Sequence, residues 1–284
     1  INCTYSGEIK EASSEAGNSY GGISGINYAL LRDNEVTYIK MNIQGVYSAT
    51  SSNTAEQKEA LSSHAGGITG KNEENGCIVG CMLADNESSS LIAEAGMLGG
   101  VTGFNKGEIV MSGSGKTSEI IYDNEQEDTL DAMNLRARNS GLKEDGSKYI
   151  NYNNWLSRKI YSDNTSITSG KLQMYMNANG NLGGITAFNG TTGSVNKCVS
   201  GNWFILNKSQ ALSVGTGGII GMNESENDST YLINGAFVGR ELSNGISNRF
   251  AGGIIGNQNN STSSDWNIKN CINYGTIYCY NTHY

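Results

Sequence analysis

GGIIGMN, Gly217 to Asn223, joins two adjacent glycines, which are costly to order, to an aliphatic pair and a turn-forming asparagine. The chain carries six versions of it: GGISGIN from Gly21, GGITGKN from Gly66, GGVTGFN from Gly99, GGITAFN from Gly183, GGIIGMN itself and GGIIGNQ from Gly252. Their starts lie 45, 33, 84, 34 and 35 residues apart, a basal period near 34 with two enlargements. Units of this size bury their apolar faces by stacking on neighbours.

The stretches between heptads are β-branched, alternating and short, as in GEIVM, STYLING and WNIKNCINYGTIYC, and Gly, Asn or Ser punctuates them every few residues. This is the writing of strands and turns. A second element, apolar and then small before a glycine, recurs in INCTYSG from Ile1, IKMNIQG from Ile39, IVMSGSG from Ile109, VNKCVSG from Val195, INGAFVG from Ile233 and KNCINYG from Lys269; the copy around CIVGCML after Gly66 fits poorly. On a coiled ribbon the paired glycines permit positive φ or close backbone approach, the third position points inward, and the asparagine closes the turn. Coils stacked at about 4.8 Å would place Ile on Ile and let Asn amides form ladders. The expected fold is therefore all-β, a parallel β-helix or β-solenoid over residues 1–284; the competing arrangement is an antiparallel array of blades or sandwiches.

Composition agrees with a folded chain of this kind. Of 284 residues 38 are glycine, none is proline and only 16% are charged, yet Ile, Val, Leu and Tyr are too frequent for a disordered linker. The net charge of −8, with Lys and Arg nowhere beyond pairs such as Arg158–Lys159, argues against binding nucleic acid. The longest apolar runs, such as CIVGCMLA from Cys77, fall well short of the roughly 20 residues that span a bilayer. The start at Ile1, without a signal segment, is expected of a piece excised from a longer protein. Six cysteines (Cys3, Cys77, Cys81, Cys198, Cys271, Cys279) show no paired CxxC knuckles and read as small apolar fillers or an occasional disulfide.

The paired elements, GGIIGMN with INGAFVG and GGITGKN with its successor, resemble the GLUG-type repeat, GG-aliphatic-x-G-x-N followed by an NC-x-x-x-G strand. The resemblance covers most of the chain outside the insertions. It implies a scaffold found in large secreted or wall-attached bacterial proteins, among them adhesin-like proteins and the non-catalytic parts of some immunoglobulin-cleaving peptidases. Ala187 and Gln258 depart from the heptad pattern, and only Cys3 and Cys271 sit squarely at the cysteine position.

Two insertions interrupt the period. In the first, 48–65, TAEQKEAL carries Thr54 and Gln57 at the spacing of a capping box before a short helix, which is expected to cover the solenoid. The second, 117–180, changes character. EDTLDAMNLRAR, Glu127 to Arg138, has acids early and arginines late, as a helix prefers. Tyr149 to Asp163, YINYNNWLSRKIYSD, would place Tyr152, Trp155, Leu156 and Lys159 on one helical face. Tyr149, Tyr152, Trp155 and Tyr161 are the candidate binding residues, since Tyr and Trp give large contact areas at modest entropic cost; the same face could instead dock inward as a lid.

Catalytic chemistry finds little footing. Glycoside hydrolysis needs two carboxylates roughly 5 to 9.5 Å apart. Glu125–Glu127–Asp128 opens a helix and Glu224–Glu226–Asp228 lies in a polar loop, neither with aromatic sugar platforms in sequence. His64 and His283 are isolated, GSGK from Gly113 is only a fragment of a phosphate loop, and ESENDS from Glu224 lacks calcium-loop spacing. The sequence is thus read as a non-catalytic, monomeric recognition segment of an extracellular bacterial protein, secreted or wall-attached, without cofactor or metal. Its expected partner is a host extracellular protein, immunoglobulin being the candidate by family likeness, or a surface glycan. A polysaccharide-active β-helix and a passive spacer are the alternatives.

Overall fold

The computed structural model describes residues 1–11, 15–84, 86, 88–115, 135–136, 149–150, 173–201, 204–208, 214–238, 250–259, 268–273, 275 and 277. Each full coil contributes one strand ending on the leading glycine of a heptad (Ser19–Gly21, His64–Gly66, Gly96–Gly99, Gly180–Gly183, Thr216–Gly217, Ala251–Gly252). A second strand carries the last four heptad residues, and a third follows, as in Glu108–Val110. These form three six-stranded sheets, here called the glycine face, the asparagine face and the third face. The return path lies in an eleven-stranded sheet. All pairing between coils is parallel; among the described residues the antiparallel contacts are the Leu135–Arg136 ladder with Tyr149–Ile150 and the Tyr47–Ser62 bridge. The fold is the stacked parallel β-solenoid, and no blade array is present in the described residues.

The heptads lie in register. Gly21, Gly66, Gly99, Gly183, Gly217 and Gly252 form one column. Their third residues form another, with Ile68, Val101, Ile185 and Ile219 fully buried in the core and Ile23 and Ile254 packed against it at the ends. No heptad glycine has positive φ, so close approach is what selects glycine here. A Cβ on Gly100 would stand 2.0 Å from the Gly184 carbonyl oxygen, and one on Gly184 2.0 Å from that of Gly218. The backbone of the next coil occupies the space where a side chain would begin.

The closing asparagines form the ladder that the period predicts. Asn27 Nδ2 donates to Asn72 Oδ1, Asn72 to Asn105, Asn105 to Asn189 and Asn189 to Asn223, each at 2.8 Å, and Asn223 donates to Gln258 Oε1 at 3.0 Å. Gln258 thus keeps the acceptor despite departing from the pattern. Asn72, Asn105, Asn189 and Asn223 are wholly buried, so each unmade link would leave a desolvated amide. At the fourth heptad position Thr69, Thr102 and Thr186 donate to the carbonyl two residues on, tightening the same bend.

A second corner, leaving the third face, is turned by one left-handed residue per coil: Asn2, Asp33, Gly80, Met111, Lys197, Tyr231 and Asn270, with φ between 48° and 61°. The residue after it spans the bend. Cys3, Cys81, Cys198 and Cys271 donate Sγ–H, and Ser112 its hydroxyl, to the carbonyl two residues earlier, at 3.0–3.6 Å. Asn in an Asn-Cys pair is therefore a backbone requirement, since Asn tolerates left-handed φ. This column corrects the sequence register. The copy at CIVGCML is in step through Gly80–Cys81, whereas the equivalents of Cys3 near the segments from Ile39 and Ile233 are Asn34 and Leu232. Among the described residues Cys3, Cys77, Cys81, Cys198 and Cys271 form no disulfide. Burial pushes the Cys198 thiol up to about 12, so it is inert at neutral pH.

The return sheet supplies the rest of the core through the stacked residues Met41, Leu91, Met174, Ile205 and Val238. The larger insertion leaves this sheet after the strand Gly113–Gly115, and the solenoid resumes at Gln173–Met176, earlier than the sequence boundary at 180. Gln173–Met176 pairs with Ser90–Ala93 on one side and Phe204–Asn207 on the other, so the stack continues unbroken across the interruption.

Gly100→Ala is expected to destabilise the fold by about 3 kcal/mol or more in urea denaturation, because its methyl has backbone on the far side. Gly190→Ala, whose nearest Cβ contact is at 3.3 Å, should cost only about 1 kcal/mol. Equal losses would show that coil spacing does not set the glycine requirement. Native Cys198 and Cys81 should resist alkylation that reaches the exposed Cys3, and react once the chain is unfolded; rapid native labelling would contradict their place in the core.

Candidate functional site

The sixth heptad position faces outward from the asparagine face: Ile26, Lys71, Phe104, Phe188, Met222 and Asn257 stack in order. Such a column of aromatic and thioether groups needs cover. The first insertion provides it, and its strand-like end His64–Gly66 already belongs to the glycine face. Helix α1, Ala55–Ala60, starts at the expected capping box: the Thr54 hydroxyl accepts from Gln57 N at 3.3 Å, and Gln57 Oε1 accepts from Thr54 N at 3.0 Å. Ala55 packs with Tyr47, Met97, Phe104, Phe188 and Met222 in a cluster separate from the main core. Phe104 and Phe188 stack with centroids 5.1 Å apart and planes 12° from parallel, as coil spacing dictates. Where the cover ends, Ile26 is 39% exposed.

Three polar features are fixed beneath and beside α1. Lys58 is fully buried; its Nζ contacts Glu224 Oε1 and lies 5.9 Å from the centre of the Phe188 ring. Asn259 Nδ2 donates to the same Glu224 oxygen at 2.8 Å. Alongside, Glu59 and Glu73 alternate with Lys71 and Lys106 in a closed ring. Lys71 touches both carboxylates, and Lys106 reaches Glu59 at 2.8 Å and Glu73 at 3.4 Å. Burial raises the Glu73 carboxyl, but Lys71 and Lys106 outweigh it and hold the group below its usual value. The third feature is His64, buried against Phe104 with ring centroids 5.5 Å apart. Its Nδ1 meets Ser19 Oγ at 3.3 Å, while Nε2 makes no hydrogen bond of good geometry, although the Glu59 backbone weakly favours the charged ring. Burial first and the Lys71 charge second push its pKa down to about 3, so the ring is neutral.

Two of the carboxylates weighed in the sequence, Glu224 and Asp228, have structural partners. Glu224 is held by Lys58 and Asn259, and Asp228 by Lys269 at 3.0 Å. The ESENDS turn is tied to the preceding coil, with Asn227 Nδ2 donating to Thr192 O at 2.6 Å and Ser225 Oγ to Gly193 O. GSGK is no loop over Gly113–Gly115, which is a ladder strand. Among the described residues no group of three His, Cys, Asp or Glu could hold a metal, and no helix is long and apolar enough to cross a membrane.

Of the predicted binding residues, Tyr149 lies in the short strand Tyr149–Ile150, paired antiparallel with Leu135–Arg136. Both pairs are extended where the sequence pattern suggested helix: strand pairing overrides the charge gradient and the one-faced apolar spacing. Tyr152, Trp155 and Tyr161, like Glu125, Glu127, Asp128 and His283, lie outside the described residues. The sequence reading missed Lys58 and Asn259, and weighed Glu224 only as a carboxylate of a polar loop. Its available signal was the run of large apolar residues at the outward sixth position, which requires the insertion to place a neutral or paired group there. Comparison with protein-family models, curated proteins and solved structures yields no match.

The neutral state of His64 has a pH signature. The unfolded ring binds a proton near pH 6.5 that the native ring, at about 3, refuses, so this stability is complete above about pH 6.5 and declines as pH falls toward 3. Glu59, Glu73, Lys71 and Lys106 remain in both proteins when His64→Leu is compared with wild type. Between pH 7 and 4.5 wild type should lose about 2 kcal/mol more than the variant in urea denaturation. Parallel pH profiles would refute the buried neutral histidine.

Proposed function

We propose that this chain is a non-catalytic recognition segment of a bacterial extracellular protein, secreted or wall-attached, that presents its larger insertion to a host protein. The observation that carries the reading is the placement of residues 116–172: they interrupt the third coil between Gly113–Gly115 and Gln173–Met176, and the parallel stack continues in register on both sides. A scaffold whose pairing is satisfied without the insertion leaves that segment's sequence free to serve another purpose. Within the insertion, the stretch from Tyr149 to Asp163 gathers Tyr149, Tyr152, Trp155 and Tyr161, which serve as the contact residues. The GLUG-type resemblance supports the extracellular setting and makes immunoglobulin the first partner to try. The engagement of Glu224 and Asp228 by lysines favours recognition over hydrolysis at that loop.

Immobilised chain should retain one or a few proteins from serum or mucosal secretions, and Tyr152→Ala with Trp155→Ala should weaken retention at least tenfold while leaving the β-sheet circular dichroism unchanged. Absence of any retained protein would favour the spacer. Release of products from a panel of neutral and anionic polysaccharides would replace the proposal with the enzymatic alternative.

A further inference from the structure

The buried contact of Lys58 with Glu224 is poorly explained as a stabilising ion pair, because taking two charges out of water costs about as much as their attraction returns, and an apolar pair of similar volume is often as good. Three observations give it another meaning. Lys58 is fully buried and Glu224 is 9% exposed, so the pair has little solvent, and Lys58 Nζ lies 5.9 Å from the centre of the Phe188 ring. The same Glu224 oxygen that meets Lys58 Nζ accepts a hydrogen bond from Asn259 Nδ2 at 2.8 Å, so amine and carboxamide converge on one atom. Glu224 and Asn259 are neighbours in one column, fixed by the Asn223–Gln258 pairing and by Asn259 N donating to Asn223 O at 2.9 Å.

We propose that Lys58 and Asn259 form an intramolecular isopeptide bond, with Glu224 as the proton carrier. The step balances without any co-reactant. Glu224 takes a proton from the Lys58 ammonium, leaving a neutral amine. Nζ attacks Asn259 Cγ and a new N–C bond forms. The Cγ–Nδ2 bond breaks as Glu224 protonates Nδ2 and takes up the proton that Nζ sheds. Ammonia departs, and the products are a secondary amide and a protonated Glu224. Both buried charges vanish, which removes the cost that makes the ion pair a poor stabiliser. Holding amine, carboxamide and carboxyl together replaces a very slow bimolecular condensation by an intramolecular one. Asn259 lies at the exposed side of the cluster, giving ammonia a way out. The bond would fasten the helical cover of residues 48–63 to the sixth coil, closing a loop that contains nearly every coil of the stack and thereby restricting the unfolded chain. It is independent of whatever the larger insertion binds.

Intact-mass measurement of the purified full chain tests the proposal. Wild type is expected one ammonia lighter than its sequence, and proteolysis should yield one branched peptide joining the segments around Lys58 and Asn259. Asn259→Ala, which keeps the Lys58–Glu224 contact and so preserves the fold, should have its full sequence mass, as should Glu224→Gln and Lys58→Met where circular dichroism shows them folded. A wild-type chain of full mass with Lys58 in a linear peptide overturns the proposal. So does an ammonia loss without the branched peptide, as asparagine cyclisation produces, or a branched peptide that survives Asn259→Ala.

Discussion

The stack depends on backbone meeting backbone: the carbonyl oxygen of the second glycine in one heptad stands where the Cβ of the same glycine in the preceding coil would be. Once coils are held that near, the remaining columns follow. Aliphatic third positions meet inside, amides meet at the bend, and aromatic sixth positions stack outside at the same spacing. The paired glycines are thus a spacing device, and the entropic cost of ordering them is offset by the uninterrupted parallel ladders that their absence of side chain allows.

Much of this was legible in residues alone, because a solenoid repeats each local decision and a repeated pattern can be read. The period, the inward third position, the amide ladder and the capping box of the first insertion follow from spacing and side-chain chemistry. The register of the second element did not, since its column mixes Cys, Asn, Ser and Leu. Its true marker is a backbone angle at the preceding residue, filled by Asn, Asp, Gly, Met, Lys or Tyr. No single side chain announces left-handed φ when the neighbouring coils hold it in place. The glycine pair was ambiguous for the opposite reason, as one residue type serves both positive φ and crowding, and only the neighbouring carbonyl decides between them.

The candidate surface was legible in location and opaque in detail. Interruption of a fixed period shows where the chain departs from its scaffold, and both insertions were found that way. The first insertion joins residues 166 positions apart, as Lys58 and Glu224 show, and no local pattern encodes such a meeting. Tyr149 illustrates the limit of helical spacing as a guide: an alternation compatible with one helical face is equally compatible with a short ladder, and pairing with Leu135–Arg136 selects the second.

The amide ladder also gives the stack a direction. Every link runs the same way, from the Nδ2 of a coil nearer the N-terminus to the acceptor oxygen of the next, so the bonds polarise one another along a common line. The two faces of any single coil are consequently unlike: one offers an oxygen and the other an N–H pair. A coil duplicated or deleted within the array keeps this polarity and finds matching neighbours on both sides, whereas an inverted coil would set donor against donor. Length can change by whole units, and orientation cannot.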